Sequence, residues 1–333
     1  MNTATRMLPP LLCALALLAA TPPVAALDGN REDVRQFMQE MIRKHGFDEA
    51  WLAGVIGAIE SQPRIIELMS RPAEQVMPWH AYRDHFLTEE RVTAGVEFWT
   101  AHRARLAEVE HSTGVAQHVI VGILGVETFF GRITGKFRVV DALATLAFDY
   151  PPRGKFFRGE LEQFLLLARE EQVDAGAALG SYAGAMGSPQ FMPSSYRAYA
   201  VDGDGDSRRD LWGSWDDVIA SVANYLAKHG WRAGEPVAAP ASLWFPHVDS
   251  LVAGSLAPDT TVKSLRDRGL SFETSLDGKA PAFFISVDGD QGPELRAGFH
   301  NCGVITRYNR SVMYALAVHD LGSRIEALLP PAS

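Results

Sequence analysis

Thiols are nearly absent from this sequence. Among 333 residues only Cys13 and Cys302 carry one, and Cys13 lies in an N-terminal apolar run. With that run removed, Cys302 stands alone, so no intramolecular disulfide can staple the chain and the fold must rest on its core. Basic charge is also short: 31 Lys+Arg face 40 Asp+Glu, a formal net charge of −9. A nucleic-acid binder needs a basic footprint, which this balance does not supply. The same balance denies long-range steering toward an anionic polymer, leaving affinity to short-range contacts. No hydrophobic stretch reaches the roughly 20 residues that a membrane-spanning helix needs. Internal repeats and low-complexity tracts are missing as well. What remains, 47% hydrophobic and 21% charged, is an ordinary globular composition with length for two or three structural units.

The first residues carry an address. Arg6 is the only charge before Asp28, Leu11–Ala20 (LLCALALLAA) is a short apolar core, and Pro23–Ala26 (PVAA) ends in small residues. This is the pattern of a secretory signal peptide over residues 1–26, cleaved after Ala26. Leu12 precedes Cys13 where a lipoprotein signal carries a small residue, so Cys13 reads as part of the apolar core. The mature chain is expected to be exported and soluble.

Beyond the leader the pattern is mainly α-helical. Val34, Phe37, Met38, Met41 and Ile42 fall at helical spacing before Gly46, and a longer helix is expected after Thr88 with Val92, Val96, Trp99 and Leu106 on one stripe. Lys155–Gln172 and Ser214–Gly230 read as further amphipathic helices, with Ser214 and Asp217 spaced as a capping pair. After Trp231 the proline-rich RAGEPVAAPASLWFPHVD marks a linker or domain edge. APAFFISVDG and HNCGVITRYN then read as short strands, and Ser311–Leu328 as a last amphipathic helix. The expected division is a helical segment 27–110, a central unit 111–236, a small β-rich unit 237–310, and a terminal helix 311–333 packing back on the body.

Glu127 stands out. It follows the nearly unbroken apolar run VAQHVIVGILGV and precedes Thr128-Phe129-Phe130-Gly131. Read alone, it is a helix C-terminal residue whose carboxylate reaches water. Held in a partly apolar cleft, the same carboxyl has its pKa raised and donates a proton near neutrality, as cleavage of a glycosidic bond requires. Downstream, Gly180–Asp206 (GSYAGAMGSPQFMPSSYRAYAVDGDGD) sets small residues beside Ser181, Tyr182, Gln190, Ser194 and Tyr196. Alone this is a tight loop; beside an acid, its glycines would admit a sugar closely and its tyrosines offer flat faces and hydroxyls. Most glycosidases need a second carboxylate, about 5 Å away when retaining and roughly 6.5–9.5 Å when inverting. Asp141 and Asp149 are the nearest downstream, and spacing leaves both open.

The stretches GVETFFGR, DALATLAFDYP, GELEQFLLLAREEQ, GSYAGAMGSPQFMPSSYRAYAVDGDGD, SVANYLAKHGW and VITRYN together resemble the lytic murein transglycosylase B family of peptidoglycan-cleaving enzymes. A weaker likeness around WHAYRDHF extends it toward the N-terminus. The resemblance implies a lysozyme-like helical catalytic core within a mainly α (α+β) chain and a periplasmic location. It makes Glu127 the single catalytic acid and base, acting on the β-1,4 bond from N-acetylmuramic acid to N-acetylglucosamine. The muramic C6 hydroxyl closes on C1 to give a 1,6-anhydro end without water. Tyr82, Ser181, Gln190, Tyr308, Asn309 and Tyr314 are implied glycan contacts, with Ser181 orienting the acid or the 2-acetamido group, and Asp141 and Asp149 become structural. At DYPPR relatives often carry two arginines after the proline, and here only Arg153 matches. Peptidoglycan strands are the implied partner.

Asp202, Asp204 and Asp206 alternate in DGDGDSRRDLWGSWDD. Alternate aspartates in a tight loop turn their oxygens onto one point, which suits Ca²⁺, although Ser207 and Gly213 stand where an EF-hand has its Gly and closing Glu. The family carries an EF-hand-like loop that closes later, which makes Asp216 or Asp217 the last ligand here and gives Arg208 a backbone carbonyl role. The metal would be structural; without it the loop is a solvated turn before the helix after Ser214. Two other functions share these features: a lysozyme-type hydrolase delivering water, and a glycan-binding protein without turnover.

Overall fold

The computed structural model describes residues 25–70, 77–244 and 253–331. The expected signal peptide, apart from Ala25–Ala26, lies outside them. Up to Lys228 the described chain is mostly helical: α1 (Glu32–His45), α2 (Glu49–Gly57), α3 (Pro63–Ser70), α4 (Trp79–Phe86), α5 (Glu89–Ala101), α6 (Arg103–Thr113), α7 (Gln117–Thr128), α8 (Val139–Phe148), α9 (Gly154–Glu170), α10 (Pro193–Tyr199) and α11 (Trp215–Lys228). Two short antiparallel pairings interrupt them, β1 (Ala25–Ala26) with β2 (Glu60–Ser61) and β3 (Phe137–Arg138) with β4 (Leu179–Gly180).

Local chemistry sets these boundaries. In α1 the stripe Val34, Phe37 and Met41 is fully buried, the first turn is acidic and the last basic, as the helix dipole favours, and Gly46 ends it with φ 65°. Thr88 caps α5 by accepting the Arg91 N–H. The single helix expected from Thr88 through Leu106 is two helices, parted at His102 (φ −109°, ψ 18°). Val92, Trp99 and Leu106 are still all buried. The stripe therefore survives while the chain bends, with the His102 ring packed on Phe98 and Trp215.

The remainder forms β5 (Ala238–Leu243), β6 (Thr260–Thr261), α12 (Val262–Asp267), β7 (Leu270–Phe272), β8 (Pro281–Gly289), β9 (Gly292–Phe299), α13 (His300–Ile305) and α14 (Val312–Glu326). The strands pair antiparallel in the order β6-β8-β9-β5-β7. Strand β8 shows the period of two: Ala282 and Phe284 join a small core with Val262, Leu265, Phe272 and Phe299, while Phe283 and Ile285 face the main core. The proline-rich stretch, read as a linker or domain edge, is no linker: it supplies β5, inside the sheet between β9 and β7, and stands where helices give way to strands. A second expectation fails outright. HNCGVITRYN, read as a strand, is α13 and a turn. Asn301 through Thr306 are all buried, and a run buried on every side has no period to separate helix from strand. The Asn301 side chain is satisfied by the backbone of Arg232 and Glu235.

Helix α14 lies antiparallel against α7, and the approach is closer than side chains would permit. A Cβ on Gly122 would sit 2.2 Å from the Val318 carbonyl oxygen, and one on Gly322 would sit 1.9 Å from that of His118. These glycines let two backbones touch, which brings Tyr314 to the end of α7. A second brace fixes α4. Arg296 of β9 bonds bidentately to Asp320 of α14 and also to Glu294, whose other oxygen accepts the Trp79 indole N–H at 3.1 Å. The sheet thereby ties α4 to α14.

Candidate active site

The residues after Glu127 end its helix abruptly. Phe129, Phe130 and Gly131 are all left-handed, with φ of 51°, 56° and 79°. Their turn closes as Phe129 N–H and Phe130 N–H reach back to Gly125 and Leu124 carbonyls. Left-handed non-glycine residues cost on the order of 1–3 kcal/mol each, so the neighbours must hold them. Phe130 stacks on Phe98 at 5.2 Å, and Arg91 and Arg132 lie over the Phe129 ring at 4.7 and 4.8 Å. Thr128 accepts the Gly131 N–H and donates to the Ser188 carbonyl at 2.8 Å. Glu127 is left on the last turn, half-buried.

Its surroundings are phenolic. The Tyr314 hydroxyl donates to Glu127 Oε1 at 2.6 Å. Tyr308 lies nearly parallel to Tyr314, ring centroids 6.4 Å apart, and donates to the Pro189 carbonyl at 2.7 Å. Tyr82 packs between Trp79 and Phe86. Burial raises the Glu127 carboxyl from 4.5 to about 7, partly offset by the Tyr314 hydrogen bond; no charged group contributes. Burial, and then the Glu127 charge, push Tyr82 up to about 12 and hold Tyr308 and Tyr314 well above the usual phenol value. All three remain protonated donors while Glu127 titrates near neutrality.

The serine- and glycine-rich loop docks on the same end of α7. Gln190, itself left-handed at φ 54°, donates from Nε2 to the Thr134 and Gly187 carbonyls, both at 3.0 Å. Ser181 Oγ accepts the N–H groups of Ala183 and Ala185, which organises the turn; no hydrogen bond joins it to Glu127. Tyr182 is exposed. Three features of the loop were read otherwise from sequence. Tyr196 is fully buried and its hydroxyl contacts Arg209 O and Leu211 N. Ser194 bonds through its N–H and hydroxyl to Glu160. The room at Gly180 and Gly187 is taken by the protein, since a Cβ there would meet the Ala185 and Leu211 carbonyl oxygens at 2.3 and 2.4 Å.

Asn309 is exposed in the turn before α14. Arg153 rests on the rings of Phe156 and Phe157 in a separate cleft with Lys155 and Gln163, and no hydrogen bond or ring contact joins it to the Glu127 group. Asp141 is bound by Arg138 and the Glu60 N–H, and Asp149 by Arg31 and Ser61. Both carboxylates are committed to bracing. Sequence reasoning missed Thr128 and Ser188, whose bond joins the two site segments, and Arg91. Arg91 is buried, donates to His85 O at 2.7 Å and is flanked by Phe86 and Phe129. Nothing in the sequence around Arg91 signals its burial; the ETFFG terminator was the available signal for Thr128.

Carboxylate oxygens of Asp202, Asp204 and Asp217 lie within 4.8 Å of one another. Asp217 is buried and accepts the Gly203 and Asp210 N–H groups, both at 2.6 Å. Asp202 accepts the Gly205 and Ser207 N–H groups, and Asp204 the Ser214 hydroxyl. Asp206 stands outside this group and accepts the Arg208 N–H; the Arg208 side chain turns to the Glu171 carbonyl. Asp216 faces Arg105 at 3.7 Å. Three converging carboxylates, one of them buried, are a donor set that fits a hard divalent cation.

Residues 29–323 match the family described as Transglycosylase SLT domain. The chain is 40% identical over 305 residues to the membrane-bound lytic murein transglycosylase B of Escherichia coli (strain K12), covering 89% of this chain and 83% of that protein. Its structure resembles that of the soluble lytic transglycosylase SltB1 from Pseudomonas aeruginosa, with a TM-score of 0.85, 47% identity, and 89% and 98% of the two chains covered. It also resembles the Escherichia coli lytic transglycosylase Slt35 in complex with calcium, with a TM-score of 0.83, 40% identity, and 91% and 96% covered.

Proposed function

The chain belongs to the SLT transglycosylase family and is a lytic murein transglycosylase, a peptidoglycan-cleaving enzyme of lysozyme-like fold, and from that premise we propose that Glu127 is its single acid and base. The scissile bond is the β-1,4 link from N-acetylmuramic acid to N-acetylglucosamine. Protonated Glu127 gives its proton to the leaving glycosidic oxygen as the C1–O bond breaks. The resulting carboxylate takes the proton of the muramic C6 hydroxyl while that oxygen bonds to C1. The products are a free 4-hydroxyl on one strand and a 1,6-anhydro end on the other, with Glu127 again protonated.

The observation that carries this reading is one carboxyl raised to about 7 by burial, with Asp141 and Asp149 each held by an arginine. A group near 7 at neutral pH serves as acid and as base with similar ease. Tyr314 holds the carboxylate form, and Tyr82, Ser181, Gln190, Tyr308, Asn309 and, more remotely, Arg153 contact the glycan. The Asp202–Asp217 loop binds Ca²⁺ through Asp202, Asp204 and Asp217. A calcium complex of the 40% identical Slt35 and the converging carboxylates support this, and the ion serves to brace the loop against α11. With its leader removed, the enzyme works in the periplasm.

Digestion of peptidoglycan in ¹⁸O water tests the chemistry. The new muramic ends should carry no label and should be 1,6-anhydro by mass spectrometry. Predominant ¹⁸O incorporation would move the site to a lysozyme-type hydrolase.

A further inference from the structure

A cleft of about 400 Å³ opens between the turn after α13 and the segment 255–257, lined by Ser255, Leu256, Ala257, Thr306, Arg307 and Arg310. Its hydroxyls are already used. Thr306 donates to the Leu256 carbonyl at 2.7 Å, and Ser255 donates to the Ala257 carbonyl. Its two guanidiniums are not. Both arginines are exposed, and among the described residues neither has a carboxylate within 4.0 Å or a hydrogen-bond acceptor for its side chain. Several arginines elsewhere do lie on a carboxylate, among them Arg31, Arg138, Arg209 and Arg296. In a chain of net charge −9, this is a local concentration of unneutralised positive charge.

Its position is informative. Arg307 and Arg310 flank Tyr308 and Asn309. Tyr308 stacks on Tyr314, which holds Glu127, and the Arg307 carbonyl is pinned by the Tyr225 hydroxyl at 2.7 Å. We propose that this cleft binds carboxylate groups of the peptide carried by the muramic acid of the strand being cut. The inference rests on the peptidoglycan reading of the Glu127 site. A five-residue peptide spans at most about 17 Å when extended, so a stem on a sugar in the glycan cleft can reach a neighbouring turn. Guanidiniums grip carboxylates through paired N–H donors. Because both side chains are exposed, the contact should be modest and weakened by salt.

The test compares peptide-bearing glycan strands with the same strands stripped of peptide by an amidase. In the double variant Arg307→Gln/Arg310→Gln, the ratio of kcat/KM on bearing to stripped strands should fall about tenfold, through KM, and Arg310→Glu alone should lower it similarly. Added salt should shrink the ratio of the parent enzyme toward that of the variant. A ratio equal to the parent's overturns the proposal, including the case where both substrates lose equally, as a general structural defect or a site for phosphate would give. Anhydro products from stripped strands test the underlying reading separately. Calorimetric binding of bearing and stripped oligosaccharides gives the same ratio without turnover.

Discussion

At the end of α7 one carboxyl sits among three phenols with no charge acting on it, whereas the loop from Asp202 to Asp217 gathers three carboxylates within 4.8 Å. The two regions handle negative charge in opposite ways. Among the described residues Glu127 has a single hydrogen-bond donor, and burial pushes its pKa to about 7. In the loop, Asp202 and Asp217 each take two backbone N–H donors; at Asp217 burial still raises the carboxyl above its ordinary value, and these N–H groups oppose that rise. A proton acid needs a site where charge is expensive but reachable. A cation site needs charge assembled in advance. The carboxyl group is the same; whether it stands alone or beside other carboxylates braced by N–H donors decides which use it serves.

The largest effect should come from taking the titrating group out of the first region. Glu127→Gln keeps the shape and the Tyr314 contact, and it should cost about three orders of magnitude or more in turnover while glycan binding persists. Stability should move the other way. A carboxyl whose folded pKa lies above its ordinary 4.5 binds its proton more tightly in the folded state. The penalty of ionising it is absent below about 4.5 and complete above about 7. The Gln variant should therefore match the parent's stability in acid and exceed it above neutrality. Near-normal turnover in a folded variant, or a stability gain confined to acid, would remove Glu127 from its role.

A smaller effect should follow from trimming only the donor. Tyr314→Phe keeps the buried ring and its stacking on Tyr308 but deletes the hydrogen bond that pulls the Glu127 pKa down. The carboxyl should then titrate higher, so the alkaline limb of the pH–rate profile moves up. Loss of one hydrogen bond to a charged group predicts a fall of about ten- to a hundredfold in kcat near neutrality. An unmoved alkaline limb would show that this phenol does not act through the carboxyl.

How far the sequence revealed each region follows from how local its determinants are. Glu127 was conspicuous because VAQHVIVGILGV and ETFFG surround it, and Asp202, Asp204 and Asp206 because they alternate. The partners were harder. Tyr308 and Tyr314 lie nearly two hundred residues on, and only resemblance to a family pointed to them. Their arrival depends on the close approach at Gly122 and Gly322, residues that carry no chemistry of their own. Tyr196 looked as suitable as Tyr308 for a sugar, yet it is core, because a hydroxyl in sequence does not say which way it faces. The strand expected at His300–Asn309 failed for a related reason, since a run buried on all sides loses its period.

The smallest effect separates the second region from the first. With no cation present, the carboxylates of Asp202, Asp204 and Asp217 repel across less than 4.8 Å, and Ca²⁺ turns that repulsion into attraction. A ligand of the native state alone adds RT ln(1 + [L]/Kd), about 2.7 kcal/mol at a hundredfold excess over Kd. For a chain of this size that is roughly 5 °C in Tm. Millimolar calcium should raise the melting temperature and EDTA lower it, while Glu127 chemistry in the folded protein continues with little change. Asp204→Asn is the sharpest probe, because its side chain accepts from the Ser214 hydroxyl and the Asp206 N–H and supports little else. It should abolish the calcium response at small cost to the metal-free protein, whereas Asp206→Asn, outside the convergent group, should leave most of the response. A melting temperature indifferent to calcium in protein shown to start metal-free would make the loop a solvated turn. The contrast with Glu127 would then be one of hydrogen bonding alone.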